Sequence, residues 1–333
     1  MAIDLKKLGI EGTYTLDTVK KIPDSVFPVL NGYSQLVFGS TERVQLFLGE
    51  NVTHGSYGDI RKAERVKLGK KMNVLVKSPR LPEMNLKLEG IVQYLSHTCL
   101  EKQNMPWAIP AIYDIYQYKG RMSFTMEEVH GQYLHDWFSK TKEPDLDFYR
   151  IMVQLSITLC ILHNCLELDH RDLKSDNIFI KSEPSSLQFQ QNSSTYIFQS
   201  PFQVALLDFG FACIGNHIGL GTEVLPALDP CPKEGRDLFH FLISVLSIET
   251  IRKRLSQSTL DQIDLWLGSK YASMAKRFAN AKEPWVYLVT SNAEFRSMTS
   301  SARRVLHDIV TKNPELFLVT TSSGSSVSVS VIT

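Results

Sequence analysis

The stretch that decides the fold runs from Leu168 to Ile180 and reads Leu-Asp-His-Arg-Asp-Leu-Lys-Ser-Asp-Asn-Ile-Phe-Ile. Its carboxylate Asp172 is followed by the cation Lys174 and then by the carboxamide Asn177, and an apolar run closes the stretch. Transfer of a phosphoryl group to a hydroxyl needs these side-chain types: a base beside the hydroxyl, a cation near the moving group and an oxygen ligand for a divalent metal. The stretch therefore predicts a site for that chemistry.

A second motif lies downstream, where the apolar run from Leu206 ends in Asp208-Phe209-Gly210. Together the two motifs resemble the catalytic loop and the metal-binding motif of the eukaryotic-type protein kinase family, and the first fits the Ser/Thr version at every fixed position. The alternative is a polar loop that spells the string by chance, which the agreement of two motifs disfavours. The resemblance implies an α+β, two-lobed protein-kinase-like fold, with a small antiparallel sheet lobe carrying one main helix and a larger, mainly helical lobe.

The resemblance also implies a role for each polar residue of the two motifs. Asp172 would accept the proton of a substrate hydroxyl, and Lys174 would stabilise the γ-phosphoryl group of ATP. Asn177 and Asp208 would hold Mg²⁺ or Mn²⁺. The expected activity is that of a protein serine/threonine kinase, acting on a protein substrate whose identity the sequence leaves open.

A glycine-rich loop is expected between Thr53 and Ile60. Gly55 and Gly58 fit the second and third glycines of the family's ATP-binding loop and Ile60 fits its valine, whereas Thr53 stands where the first glycine belongs. Glycine lets backbone N–H groups approach phosphates because it has no Cβ. The threonine is therefore expected to loosen or reshape the cover over ATP without abolishing binding.

Lys77 ends an apolar strand that resembles the family's Val-Ala-Ile-Lys strand, whose lysine contacts the α and β phosphates. Apolar residues at helical spacing predict a helix from Leu86 to His97. Glu89 on that helix is the expected partner of Lys77, and Glu83, beside a proline at the helix start, is the competitor. The alternative for Glu89 is a plain surface carboxylate, because the adjacent Gly90 is unusual in such a helix.

The segment from Ser123 to Leu134 resembles the strand and hinge that join the two lobes. Met126 falls at the gatekeeper position, which limits the depth of the adenine pocket, and Glu127 and Val129 would offer backbone groups to the adenine edge. Asp136 is a candidate partner for the ribose, and an equally good alternative is a carboxylate that stabilises a helix N-terminus.

The predicted organisation has an N-terminal extension lying on the small lobe, a kinase-like domain of two lobes and a low-complexity tail. These parts comprise residues 1–43, 44–312 and 313–333, with the small lobe at 44–126 and the large lobe at 130–312. The Ser- and Gln-rich stretch 181–203 is expected to be an inserted surface loop. Asp237 resembles the buried helix aspartate that anchors the backbone of the family's catalytic loop.

The region after Gly210 departs from the family pattern. The activation segment of the family ends in Gly-Thr and then Ala-Pro-Glu, but here Gly221-Thr222 is followed by Ala227-Leu228-Asp229. This change and Thr53 together motivate a second hypothesis, a pseudokinase that uses the fold as a binding module. A compressed substrate platform motivates a third, a small-molecule kinase on a related fold, which the Asp-Phe-Gly motif disfavours. The divergent large lobe also resembles kinases carried by large DNA viruses.

The composition bounds the remaining possibilities. Of the 333 residues, 43% are hydrophobic and 21% are charged, which is enough apolar material for a sizeable core. The net charge of +1 gives no indication of a nucleic-acid partner. Five scattered cysteines without a Cys-x-x-Cys pair predict reduced thiols in an intracellular, cytoplasmic protein. No secretory signal and no apolar run of about 20 residues is evident, so no membrane partner is expected, and the oligomeric state is left open.

Overall fold

The strands and helices of the computed structural model form a sheet-rich small lobe and a mainly helical large lobe, which confirms the predicted α+β class. The structure describes residues 16–31, 35–38, 42–54, 58–81, 85–191, 194–215, 232–268, 300–321 and 330–331. The two lobes meet at the segment that leads from Glu127 to Gln132, as expected for the hinge.

An antiparallel sheet builds the small lobe. Its strands are β1 (Gln35–Phe38), β2 (Glu42–His54), β3 (Gly58–Lys67), β4 (Lys70–Pro79), β5 (Ile112–Tyr118) and β6 (Arg121–Glu127), in the order β1-β2-β3-β4-β6-β5. Successive side chains of a strand point to opposite faces, so β4 buries Val74 and Val76 on one face and turns Lys77 to the other. Lys77 pairs with Ile60 on β3 and with Phe124 on β6, which fixes its position in the middle of the sheet.

Helix α2 (Lys87–Glu101) packs against the sheet. A Cβ atom placed on Gly90 would lie 3.1 Å from Phe124 Cδ1 and 3.2 Å from Ile115 Cδ1, which is closer than ordinary van der Waals contact. The glycine that looked out of place in the predicted helix therefore allows the helix to approach the sheet this closely. Its neighbour Glu89 is also buried.

The N-terminal part of the chain lies on the small lobe, and the sheet begins earlier than the sequence pattern indicated. Helix α1 (Leu16–Lys20) contacts α2, and β1 pairs with β2 in a register that places Leu36 opposite Val44. Leu30 and Leu36 are buried in an apolar cluster with Val44. The boundary predicted at residue 44 therefore lies inside the sheet. The sequence did not reveal β1 because so short a strand at the edge of a sheet leaves no clear pattern.

The large lobe is built around one long buried helix. Its helices are α3 (Leu134–Lys140), α4 (Pro144–Leu166), α5 (Arg236–Ser247), α6 (Glu249–Arg252), α7 (Gln257–Leu267) and α8 (Ala302–Lys312). By length and composition α4 is the one helix of the described residues that is able to cross a membrane, but 78% of its most apolar window is buried inside the fold. This burial is the pattern of a core helix.

A small sheet brings together the end of the catalytic loop and the start of the Asp-Phe-Gly motif. It contains β7 (Gln132–Tyr133), β8 (Ile178–Lys181) and β11 (Gln203–Leu206), in the order β11-β8-β7. Ile178 pairs with Leu206 in the antiparallel β8–β11 ladder. The end of the first motif and the start of the second therefore lie side by side, although they are separated along the chain by the inserted stretch.

The stretch predicted to be an inserted loop is instead a β-hairpin, which corrects the expectation for residues 181–203. Strands β9 (Ser185–Gln191) and β10 (Ser194–Ser200) pair antiparallel and form a sheet with β12 (Phe317–Thr321) and β13 (Ser330–Val331), in the order β12-β10-β9-β13. Phe189 and Phe198 are fully buried, and Phe198 lies 5.8 Å from Phe317 between ring centroids. Buried aromatic side chains at alternate positions stabilise the hairpin despite its polar composition.

This sheet also corrects the expectation for the C-terminal tail. Residues 317–321 of the predicted low-complexity segment 313–333 pair with residues 194–198 of β10, from Phe317 opposite Phe198 to Thr321 opposite Ser194. These residues are therefore part of the folded large lobe.

One expectation about the cysteines is also wrong. Cys213 is disulfide-bonded, whereas the scattered spacing predicted five reduced thiols. Cys99, Cys160 and Cys165 are free, as expected. Sequence spacing did not reveal the bond because a disulfide depends on the distance between Cα atoms in the folded chain.

Candidate active site

The catalytic loop is fixed by a carboxylate from a distant helix. Asp237, in the first turn of α5, accepts the backbone N–H groups of His170 and Arg171, each at 2.8 Å. Arg171 has a φ of 65°, a left-handed conformation that a non-glycine residue adopts only when its surroundings hold it there. The resemblance predicted this anchor, and the two hydrogen bonds confirm its geometry.

Asp172, Lys174 and Asn177 come together at one point of this loop. Lys174 Nζ lies 3.2 Å from Asp172 Oδ2, and Asn177 Nδ2 donates to the same oxygen at 3.0 Å and to the Asp172 carbonyl at 2.7 Å. The Asp172 side chain is buried. A cation and an amide donor on one oxygen hold the orientation of the carboxylate.

Asn177 and Asp208 lie next to each other because of the β8–β11 pairing. Leu207 N–H donates to the Asn177 carbonyl at 2.9 Å, so the residue after Leu207 emerges beside Asn177. Asp208 has a φ of 61° and accepts the Gly210 N–H through Oδ1 at 3.3 Å. Both side chains line the same cleft. Such backbone strain is concentrated at functional sites.

The donor set at this position fits Mg²⁺. Both hydrogen bonds of the Asn177 carboxamide use Nδ2, and its Oδ1 has no protein partner among the residues that the structure describes. About two-fifths of the Asp208 side chain (43%) is exposed to the cleft. Mg²⁺ prefers one or two protein oxygens and completes its shell with water and phosphate oxygens. Two oxygen ligands beside an open cleft match that preference.

Lys77 connects the two lobes at the cleft. Its Nζ lies 2.5 Å from Glu89 Oε1 on α2 and 2.9 Å from Asp208 Oδ1. The ion pair with Glu89 expected from the sequence is therefore present. Burial alone would lower the pKa of Lys77, but the two carboxylates outweigh it and hold that pKa above its usual value. Burial raises the pKa of Glu89 and Lys77 opposes that rise.

Asp208 is the strongly acidic group of this cluster. Burial would raise its pKa, but the Lys77 ammonium lowers the pKa of Asp208 to about 2. The carboxylate is therefore ionised throughout the physiological range, as a metal ligand must be.

Gly58 shows why a glycine stands at the start of β3. A Cβ atom at this position would lie 3.2 Å from Lys77 Cγ and Cε and 3.1 Å from the Ser78 carbonyl oxygen. The glycine therefore leaves room for the Lys77 side chain to cross β3. Thr53 lies in β2 opposite Ile60, and Ile60 lines the cleft. Gly55 lies outside the described residues.

A cleft of about 490 Å³ separates the two lobes, and it has the size and character of a small-molecule site. Polar groups at one end include Lys77, Glu89, Asn177 and Asp208. Its apolar walls are formed by residues that the sequence reading missed, namely Val52, Leu75, Pro110, Phe179 and Leu207. In the sequence, apolar side chains on strands cannot be told apart from core residues. Only the way the two lobes face each other shows that these side chains line the cleft.

The hinge residues lie where the resemblance placed them. Met126, Glu127 and Val129 line the cleft. The Glu127 N–H donates to the Ala111 carbonyl at 2.9 Å and is therefore already hydrogen-bonded. Val129, in contrast, has no hydrogen-bond partner for its N–H or carbonyl within the described part of the chain. Val129 therefore presents a backbone donor and acceptor to the cleft.

Asp136 is not among the residues that line the cleft, which contains Asp176 instead. The ribose role considered for Asp136 has no support in this geometry. The competing Glu83 and the end of the activation segment, Gly221 to Asp229, lie outside the described residues.

Comparison with known proteins places the chain in a family. The family model described as the protein kinase domain matches residues 48–224. A relative described as "Probable kinase 098L", from Invertebrate iridescent virus 3, is 24% identical over 136 residues, which cover 40% of this chain and 26% of the relative. The chain thus matches about a quarter of the length of that viral protein. Because the family model covers more than half of the 333 residues, the chain belongs to the protein kinase domain family, as a divergent member with a viral relative.

Proposed function

We propose that the protein transfers the γ-phosphoryl group of ATP to serine or threonine hydroxyls of a protein substrate. The observation that carries this proposal is that Lys77, Asn177 and Asp208 line one cleft between two lobes, and that Asn177 is hydrogen-bonded to Asp172. Lys77 reaches Asp208 at 2.9 Å although 131 residues separate them. A chain that used the fold only for binding would not need both the Lys77–Asp208 ion pair and the Asn177–Asp172 hydrogen bond.

Each residue has one task in the proposed reaction. Asp172 accepts the proton of the substrate hydroxyl while the hydroxyl oxygen bonds to the γ-phosphorus of ATP. The bond between the γ-phosphorus and the β–γ bridging oxygen breaks, and ADP is released. Lys174 lies beside Asp172 and offsets negative charge on the moving phosphoryl group. Lys77, held by Glu89, orients the α and β phosphates.

Asn177 and Asp208 would hold Mg²⁺ (or Mn²⁺), which when bound offsets charge on the phosphate oxygens. The apolar walls around Val52, Leu75 and Phe179 would enclose the adenine ring, with Val129 offering its backbone groups to the adenine edge. The Ser/Thr preference rests on Lys174, two residues after Asp172, as in the Ser/Thr version of the family's catalytic loop.

The test uses the purified full chain with γ-labelled ATP and Mg²⁺ or Mn²⁺ on a panel of proteins, peptides and small alcohols. Labelled phosphoserine or phosphothreonine is the expected product, and Asp172→Asn is expected to lower the rate by about 10²–10⁴-fold because the proton acceptor is lost. Asp261→Asn makes the same change in charge at an exposed position on α7 and is the matched control. Labelled phosphotyrosine alone would contradict the Ser/Thr preference, and labelled small alcohols without labelled protein would contradict the protein substrate.

A pseudokinase is the second candidate, because Thr53 replaces the first glycine of the ATP-binding loop. It predicts nucleotide binding or partner binding without turnover. Equal, background-level labelling by the wild type and by Asp172→Asn would favour it over the kinase.

A further inference from the structure

Residues 18–30 form a strap that joins α2 to the edge of the small-lobe sheet, and nothing in the proposed reaction uses it. Val19, Ile22 and Phe27 are buried at 0%, 4% and 6% exposure. They belong to the same apolar cluster as Ile91 and Val92 of α2. Burial of three large side chains stabilises the packing of this N-terminal strap on the lobe.

Polar contacts from the strap converge on the first residue of α2. Asp24 Oδ1 lies 2.6 Å from Lys87 Nζ, which also donates to the Ile22 carbonyl at 2.8 Å. Asn85 Nδ2 donates to Asp24 Oδ2 at 3.3 Å, while Asn85 Oδ1 accepts the Lys87 N–H at 2.9 Å. Lys87 is only 9% exposed. Within the described part of the chain, both partners of its ammonium come from the strap, so its charge depends on the strap for compensation.

The other end of the strap is tied to β5. Gln117 Nε2 donates to the Asp24 carbonyl at 2.7 Å. The backbone of Gln117 also exchanges hydrogen bonds with the strap, accepting from Leu30 N–H and donating to the Pro28 carbonyl, both at 2.8 Å. Asp24 therefore links the start of α2 to an edge strand of the sheet that carries Lys77.

The position of α2 decides whether the buried ion pair forms. Glu89 follows Lys87 by two residues, and in the observed orientation of the helix its carboxylate lies 2.5 Å from Lys77 Nζ. We propose that Asp24 and Lys87 are positioning residues: the N-terminal strap holds α2 where Glu89 pairs with Lys77, and in this way it raises both nucleotide affinity and the rate of phosphoryl transfer. The proposal rests on the proposed function for its rate effect, but not for its effect on nucleotide affinity.

A double-mutant cycle tests the proposal. Asp24→Asn is expected to lower kcat/KM for ATP by about fivefold in the wild-type background, since residues that act through a two-state element change coupling by modest amounts. In the Glu89→Gln background the same change should have no further effect, because the contact that the strap positions is already lost. Lys87→Met should behave like Asp24→Asn, and Lys87→Arg, which keeps the charge, should stay near wild type.

Glu64→Gln is the matched control for the loss of one carboxylate. Glu64 pairs with Lys71 at 3.0 Å on exposed positions of the same lobe, and neither residue lies on α2. This control is expected to leave kcat/KM unchanged. An equal loss for Asp24→Asn in both backgrounds would overturn the proposal, because a general loss of stability does not depend on Glu89.

Two further measurements separate the proposal from the proposed function. If the wild type shows no phosphoryl transfer, the proposed function fails, but the affinity for a non-hydrolysable ATP analogue with Mg²⁺ still tests the strap. Asp24→Asn should weaken that affinity in the wild type and not in Glu89→Gln, and it should increase amide hydrogen exchange across Lys87–Glu101. Unchanged analogue affinity and unchanged exchange in Asp24→Asn would overturn the proposal.

Discussion

Replacing Asp237 by asparagine tests whether one carboxylate holds the catalytic loop in its working shape. Its Oδ2 accepts the His170 N–H and its Oδ1 accepts the Arg171 N–H, each at 2.8 Å. Asparagine offers one carbonyl oxygen and one NH₂ group. Whichever way the carboxamide is placed, one of the two backbone N–H groups therefore faces another donor.

The magnitude follows from these contacts. A hydrogen bond to a charged group contributes about 1.5–3 kcal/mol, and a buried donor left without a partner costs about 1–3 kcal/mol. Asp237→Asn is therefore expected to lower the free energy of unfolding by about 2–4 kcal/mol. The left-handed conformation of Arg171 also loses part of its support, so Asp172 moves. A displacement of about 1 Å at a reacting group costs about 100-fold in rate, and we expect that loss in kcat.

Urea denaturation followed by tryptophan fluorescence measures the stability, and initial rates of phosphoryl transfer measure kcat and KM. The KM for ATP should change little, because the contacts of Lys77 with Glu89 and Asp208 do not involve Asp237. Asp261→Asn on exposed α7 is the control and should stay within about 0.5 kcal/mol of wild type. Wild-type stability together with wild-type kcat in Asp237→Asn would refute the anchoring argument.

Two further predictions concern the inserted hairpin and the cleft. Phe198 is fully buried against Phe317, so Phe198→Ala should lower the free energy of unfolding by about 3–5 kcal/mol. Leu318 is 62% exposed, so Leu318→Ala should change that free energy little. Equal urea midpoints for the two variants would contradict the packing assigned to the hairpin. The pKa of Asp208 is lowered to about 2 from an ordinary value of 3.8, so the stability it contributes is present above about pH 3.8 and is lost as the pH falls through 2. Asp208→Asn should therefore flatten the fall in unfolding free energy between about pH 4 and pH 2, and an unchanged pH dependence in that range would speak against the ion pair with Lys77.

The sequence predicted several side-chain contacts through its resemblance to the kinase family. Glu89 was selected from its place on a predicted helix, and it pairs with Lys77 at 2.5 Å. Asp237 was selected by resemblance, and both of its oxygens accept N–H groups of the catalytic loop. In each case the residue sits on a regular element whose position in the fold is set by the motif beside it.

Other features were invisible in the sequence for a physical reason. The hairpin of residues 185–200 has polar residues at most of its positions, and its stability comes from Phe189 and Phe198 packing against a strand more than a hundred residues later. The apolar walls of the cleft, such as Val52 and Phe179, belong to different lobes and become a binding surface only when the lobes face each other.

The sequence by itself determined which chemistry the chain presents, because the residues of Leu168–Ile180 are close along the chain and their spacing sets what one loop can offer. Only the tertiary structure decided which residues the tail, the hairpin and the N-terminal strap contact. The contact of Asp24 with Lys87 and the pairing of β10 with β12 form because distant segments bury apolar surface together, and that free energy depends on the whole fold and on no local pattern.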